Sequence, residues 1–518
     1  MTDKLTAVVI GGGHNGLVCA SYLAKAGYDV TVLEARSETG GGLSTREFAE
    51  GYRVSGLAHV CYPFPEVIAR EIGLAKARSG NTLDTVSLGL DGRHLRFSGN
   101  NVKGERLSAD DISAYSAFKK EFHRYADALM PLIMNKPPRL KDMDRKDMLT
   151  LAKLGWKLRF GLGAETMSEF LRVGGINIYD VLNELIDDEQ LKAAIAVDAV
   201  MGHQMGPRTP TTVLTYLQRQ AQELSGPLFS PEGGMGALAS QLTEVAQSAG
   251  VAIRTSAEVA SIRIEEGRTT GVVLNNGESL NADLVVSNAD AKTTFLKLMD
   301  VTELDAMFAH RVHKTRTPGN VARLHFALSD LPAIKGLNED DLAQRLLVAP
   351  DMRYMEHAFN HSKYGEFSEA PILEITLPSI KDPSLVSGGG HVMSVSASYA
   401  PYNLKSGWET GAEMFKESVI TLIESYAPGF TGLVQASELL TPRDIEREFK
   451  VDGGHWHHGE LAIDQSFMMR PVHGAAQYDT PIKGLFLCGA AAHPGGGING
   501  VPGYNAAKRI LAMKAGQR

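Results

Sequence analysis

Six residues, Gly11-Gly12-Gly13-His14-Asn15-Gly16, follow the short apolar run Thr6 to Ile10 without a break. Glycines at these places have separate tasks. Gly11 admits a tight strand-to-helix turn, Gly13 lets a pyrophosphate approach the backbone, and Gly16 lets helix and strand pack closely. The N-terminus of the following helix offers N–H donors and a partial positive charge to phosphates, with His14 and Asn15 in the loop that leads into it. Glu34 closes the next apolar run, where it can accept hydrogen bonds from ribose hydroxyls and would repel a 2′-phosphate. The spacing predicts FAD or NAD rather than NADP. Glu34-Ala35-Arg36 is followed by Thr39-Gly40-Gly41-Gly42, a second glycine cluster where backbone must pass the same ligand. NAD-only dehydrogenases rarely carry that cluster, so FAD is the expected cofactor, with Ala35, Gly41 and Gly42 in its site.

Further along, Gly233-Gly234-Met235-Gly236 opens another helix, but no acid follows its next strand at the required distance. One dinucleotide fingerprint is therefore read, and no separate NAD(P)H domain is expected. The loop Gly453-Gly454-His455-Trp456-His457-His458-Gly459 places three imidazoles before a C-terminal glycine-rich stretch. An imidazole there could accept the proton released when a C–H bond is oxidised. Hydrogen bonds to loop carbonyls or to Asp464 explain these histidines equally well. No metal is expected, because no carboxylate or thiolate completes a ligand set at short spacing. Arg470 reads as structural, paired with Asp464 or a backbone turn. Cys488, inside Leu485-Phe486-Leu487-Cys488, reads as buried.

Elements must hold these groups in place. Thr6 to Ile10 and Asp29 to Leu33 read as strands around a helix from Leu17 to Ala26, one βαβ unit. Helices are predicted over Ser113 to Leu132, Asp147 to Leu158 and Ile178 to Val200, and another is opened by the segment Pro231 to Leu238 and runs to about Gly250. Val251 to Arg254, Val259 to Ile264, Gly271 to Leu274 and Asp283 to Ser287 read as strands, the later ones at the edge of the nucleotide lobe. With 518 residues and 43% hydrophobic content, the chain exceeds one core, so two lobes are expected. The predicted division assigns 1–75, 225–295 and 455–518 to an FAD-binding domain and 76–224 and 296–454 to a substrate domain.

Four blocks together resemble a known family: GGGHNGLVCASYLAKAGYDVTVLEARSETGG, PEGGMGALASQL, GGHWHHGELAIDQSFMMRP and GLFLCGAAAHPGGGINGVPGYNAA. They resemble the glutathione-reductase-type flavoproteins and, within these, the phytoene desaturase and amine oxidase superfamily, nearest to bacterial phytoene-dehydrogenase-related proteins. The arginine that often follows the glycine doublet in that superfamily is replaced by Gly42 and Leu43. The resemblance implies an α/β fold: a glutathione-reductase-type FAD-binding Rossmann lobe with a discontinuous, mainly helical α+β substrate lobe. It also implies that Arg36 lies near the FAD phosphates and that Val259 holds the adenine through its backbone. Gly489 to Gly503 would run under the flavin, with Ile498, Asn499 and Gly500 offering N–H groups to its pyrimidine end. His493 would contact the ring or cap a turn. His458 matches the histidine of the family block and is the expected catalytic residue.

The implied activity is an FAD-dependent dehydrogenase or desaturase oxidising a C–H bond of a largely apolar, small lipophilic substrate. A flavin amine oxidase, a redox-neutral isomerase or saturase, and a non-catalytic interaction protein stabilised by FAD keep the same cofactor residues. Oxygen or a quinone could be the electron acceptor. A net charge of −8 and a pI near 6.1 exclude the basic surface that nucleic acid requires. Cys19, Cys61 and Cys488 form no redox or metal pattern, which excludes disulfide-reductase chemistry and fits a reducing, cytoplasmic setting. No apolar run is long enough for a spanning helix. The stretch Met148 to Phe160 carries apolar residues among Lys153, Lys157 and Arg159. It reads either as a core-facing helix with solvated cations or as a peripheral membrane contact. An exposed apolar helix could equally serve a homo-oligomer.

Overall fold

The computed structural model describes residues 4–74, 80–139, 141 and 143–516. The apolar run Thr6–Ile10 forms the middle of a parallel five-stranded sheet, covered on both faces as such sheets require. Its neighbours are Asp29–Leu33 and Leu284–Ser287, and Ala252–Arg254 and Leu485–Leu487 take the two edges. The last stretch of Asp283 to Ser287 is thus interior, not at the edge as its sequence position suggested. Val285 and Val286 are buried on both sides of it. The helix begins at His14 and runs to Lys25, three residues earlier than expected, because Gly13 already serves as its N-cap. The strands Val259–Glu265, Arg268–Leu274 and Ser279–Asn281 form a separate antiparallel meander.

A second sheet has eight strands, from Val434–Leu440 at one edge to Asn101–Lys103 at the other. Its centre is built from Val321–Leu328, His391–Ser398, Leu373–Thr376 and Arg345–Val348. Alternation divides the two faces. Leu324, Phe326, Val395, Ile375 and Leu346 point into one apolar core. Arg323, His325, Ser394, Ser396, Glu374 and Arg345 occupy the other face, and all are buried.

Helices cover that polar face. The expected helix from Ile178 to Val200 is two: Ile178–Leu185 and Glu189–Val200, separated where Asp188 accepts the Leu191 N–H at 2.7 Å and caps the second. Thr212–Glu223, which the sequence reading did not single out, packs between Ala109–Ile133 and Glu189–Val200. The helix Arg145–Trp156 continues into a wider turn, Lys157–Leu162. Leu154 and Leu158 reach the helical core, but Trp156 and Phe160 lie against one another with tilted rings and are 66% and 63% exposed, so the apolar face there is only partly core. No helix among the described residues is long and apolar enough to cross a membrane. The expected boundary between residues 75 and 76 lies outside the described residues.

Candidate functional site

A single elongated cavity of about 540 Å³ runs from the parallel sheet to the polar face of the second sheet. Its first half is made by backbone. Gly11 adopts φ +93°, and a Cβ on Gly16 would stand 2.3 Å from the Gly11 carbonyl oxygen, so helix and strand touch through glycine alone. Glu34 accepts the Gly12 N–H at 2.7 Å and the Arg36 N–H at 2.9 Å, which fixes the carboxylate at the cavity wall. Arg36 donates to the Gly41 carbonyl at 3.0 Å and lies over the Phe449 ring at 5.0 Å. Gly13, the N-cap, provides no side chain to satisfy the helix N-terminus, so its N–H groups remain for a ligand.

Gly11, Gly13, His14, Asn15, Glu34, Ala35, Arg36, Gly41, Gly42, Val259, Ile498 and His458 all line this cavity. Gly16, Gly489 and Gly500 do not. They let segments approach behind it: a Cβ on Gly489 would meet the Asn288 carbonyl oxygen at 2.4 Å, and one on Gly500 would meet Phe64 at 2.7 Å. Asn499 accepts the Val501 N–H at 2.9 Å and so starts the final helix. His493 stands apart from the cavity and bonds the Leu132 carbonyl at 2.9 Å, a structural tie where a flavin contact was expected. Asn288, unforeseen in the sequence, lines the cavity and packs against Gly11, Gly13, Gly16 and Gly489 at once. A strand-loop-helix cradle closed to any Cβ, with a carboxylate at the ribose position and free N–H donors at the pyrophosphate position, fits FAD.

The narrowest of these contacts gives a direct test. Gly16→Ala must push the first helix off its strand, an overpacking that costs about 1–3 kcal/mol. FAD affinity is expected to fall roughly 5- to 150-fold with that displacement, read by fluorescence titration of the FAD-free protein. Gly155→Ala, where a Cβ meets nothing within 4 Å, is the control and should leave FAD binding unchanged.

The second half of the cavity is made by side chains. His59, Cys61 and Tyr62 reach it from the loop after the strand Tyr52–Ser55. Burial raises the Cys61 thiol and the Tyr62 hydroxyl above their ordinary values. His458 has a left-handed backbone, φ +55°, and a buried Nδ1 without a hydrogen-bond partner. Burial, with the Arg470 charge adding to it against Asp290, lowers its pKa to about 4. His457 stacks on His203 at 4.9 Å between ring centroids. The His203 Nδ1–H donates to Glu460 at 2.7 Å, and Glu460 also accepts the Gln204 N–H at 3.0 Å. His455 Nε2 lies 3.8 Å from the same carboxylate. Glu460 therefore supplies the nearby carboxylate that the sequence reading found missing, and as placed it orients His203.

Arg470 does not pair with Asp464, which Arg316 holds at 2.6 Å. Its buried guanidinium donates instead to the carbonyls of His457, Glu460, Gln465 and Ala490, at 2.6 to 3.2 Å. This pins the histidine loop to the glycine stretch. Asp198, His203, Gln218, Arg219, Gln222, Glu374 and Ser396 complete the wall, and none was singled out in the sequence.

Residues 16–328 match the family described as Flavin containing amine oxidoreductase. The rat pyridine nucleotide-disulfide oxidoreductase domain-containing protein 2 is 32% identical, over 99% of this chain and 94% of its own length. A neurosporene-forming phytoene desaturase of Cereibacter sphaeroides is 28% identical, over 99% of this chain and 96% of its own. Among solved structures, an oxidoreductase from Methanosarcina mazei superposes with a TM-score of 0.61 at 19% identity, covering 98% of this chain and 100% of that one.

Proposed function

The chain belongs to the flavin containing amine oxidoreductase family and is thus an FAD-dependent oxidoreductase, and from that premise we propose that it is a dehydrogenase or desaturase oxidising a C–H bond of a largely apolar molecule. The observation that carries this reading is one continuous cavity leading from the dinucleotide cradle to the polar face of the second sheet, partly walled by Leu57, Val60, Met201 and Leu228. When bound, FAD would supply a two-electron acceptor for oxidation of the substrate C–H bond. The chain's own residues do the rest. Glu34 and the glycine loops hold the dinucleotide. The helices over the second sheet exclude water. His458, kept neutral by burial, has an unshared electron pair for the proton that leaves the substrate. Oxygen or a quinone would then take the electrons.

The test is anaerobic. Protein purified with its yellow cofactor is mixed with lipophilic candidates while the flavin absorbance is followed. Bleaching by a substrate, with return of colour on adding oxygen or a quinone, is expected, and His458→Gln should slow it without lowering FAD content. A yellow protein that no such molecule reduces would favour an FAD-stabilised interaction protein.

A further inference from the structure

The chamber end of the cavity is not simply apolar. The helix Thr212–Glu223 turns Thr215, Gln218, Arg219 and Gln222 toward it, a spacing that puts all four on one helical face. Arg219 is 23% exposed although enclosed by protein, because that surface faces the cavity. Its Nε lies 3.4 Å from Asp198, and its guanidinium sits over the Tyr62 ring at 5.1 Å. Nε and Nη2 are buried without any hydrogen-bond partner, as is the Gln218 Oε1. The neighbouring cations are better provided for. Arg345 donates to Glu374 at 2.5 Å and to Asp198 at 2.7 Å, and Arg323 donates to Ser394 and Ser396.

Three guanidinium groups thus share two carboxylates, and the remaining imidazole of this cluster, His59, is neutral. One positive charge is left over, and Arg219 has two unpartnered donors, Nε and Nη2, where Arg323 has only Nε. Buried cations of this kind demand a partner, and a carboxylate matches the planar fork of guanidinium in both charge and geometry. We propose that the substrate carries a carboxylate, bound by Arg219 at the chamber end while its apolar portion extends toward the flavin. This rests on the dehydrogenase or desaturase reading above and narrows its substrate to an amphipathic acid. A protonated amine would meet an excess of its own charge.

The experiment uses the FAD-loaded protein, titrated with decanoate, methyl decanoate and decylamine, with perturbation of the flavin spectrum and thermal stabilisation as the readouts. Decanoate is expected to bind at least tenfold more tightly than its ester or the amine. Arg219→Gln should weaken decanoate by roughly 10- to 100-fold, the range of a lost charged hydrogen bond, and leave the ester unchanged. Arg219→Lys keeps the charge without the fork and should fall between, and it carries the test if the glutamine variant does not fold. Equal binding of ester or amine by the native protein, or decanoate binding indifferent to Arg219, would overturn the proposal. Selective, Arg219-dependent binding by a protein whose flavin no acid can reduce would instead retain the carboxylate site and sink the dehydrogenase or desaturase reading on which it builds.

Discussion

Glu374→Ala is expected to lower the unfolding free energy by about 3–5 kcal/mol, the loss typical when one partner of a buried ion pair is removed. Glu374 is 4% exposed and stands at the centre of the polar sheet face. It accepts from Arg345 at 2.5 Å and from His59 at 2.8 Å. Without it, Arg219, Arg323 and Arg345 share Asp198 alone, in a region that water reaches only through the cavity. Asp198 still faces two of them, Arg345 at 2.7 Å and Arg219 at 3.4 Å, which leaves three cations to one carboxylate. Glu374→Gln retains a hydrogen-bond acceptor and should cost less. Denaturant titration at neutral pH measures both. A loss below about 1 kcal/mol for the alanine variant would mean that cavity water already solvates these cations, as for an exposed pair.

That network also marks where the sequence stops being readable. The dinucleotide cradle depends on local backbone, and glycines at fixed intervals declare it: Gly11, Gly13 and Gly16 stand where the turn and the helix contact need them, with Glu34 at the end of the adjoining strand. The chamber depends on long-range covering. Arg323 and His325 alternate with Leu324 and Phe326, and Ser394 and Ser396 with Val395, which is the pattern of a sheet with one wet face. Only the fold shows that helices lie over that face and turn an ordinary amphipathic strand into a charged wall. The helix Thr212–Glu223 has its signal in the polar residues Thr215, Gln218, Arg219 and Gln222, but such a stripe also describes any solvated helix face. His203 and Glu460 lie far apart in sequence, so their contact has no local trace. The histidine loop was visible as chemistry, and of the two partners read for Arg470 the backbone holds and Asp464 does not, because the guanidinium gathers carbonyls from several segments that only the fold brings together.

The same burial that hides these groups should make the protein acid-labile well above the range in which carboxylates titrate. His14, His59, His458 and His493 each have a pKa lowered to about 4, in every case chiefly by burial. An unfolded chain returns them to about 6.5. The folded pKa lies below the unfolded one, so between these values the unfolded chain binds more protons. The stability these neutral imidazoles confer is complete above about pH 6.5 and is lost as pH falls through the window toward 4. Each contributes a slope of up to about 1.4 kcal/mol per pH unit. Four together give up to roughly 5.6 kcal/mol per unit, against a total stability of about 5–15 kcal/mol for a typical domain. The fold is therefore expected to fail between pH 6 and 4.5. Glu374 and Glu460, held well below the usual carboxylate range by Arg345 and by His203, add their own losses only at lower pH. Denaturant midpoints taken from pH 8 to pH 5 measure the slope. His493→Gln, away from the cavity, should reduce it by about 1.4 kcal/mol per unit without altering FAD binding. Stability that stays level from pH 7 to pH 5 would show that these imidazoles take up protons in the folded protein as readily as in the unfolded chain.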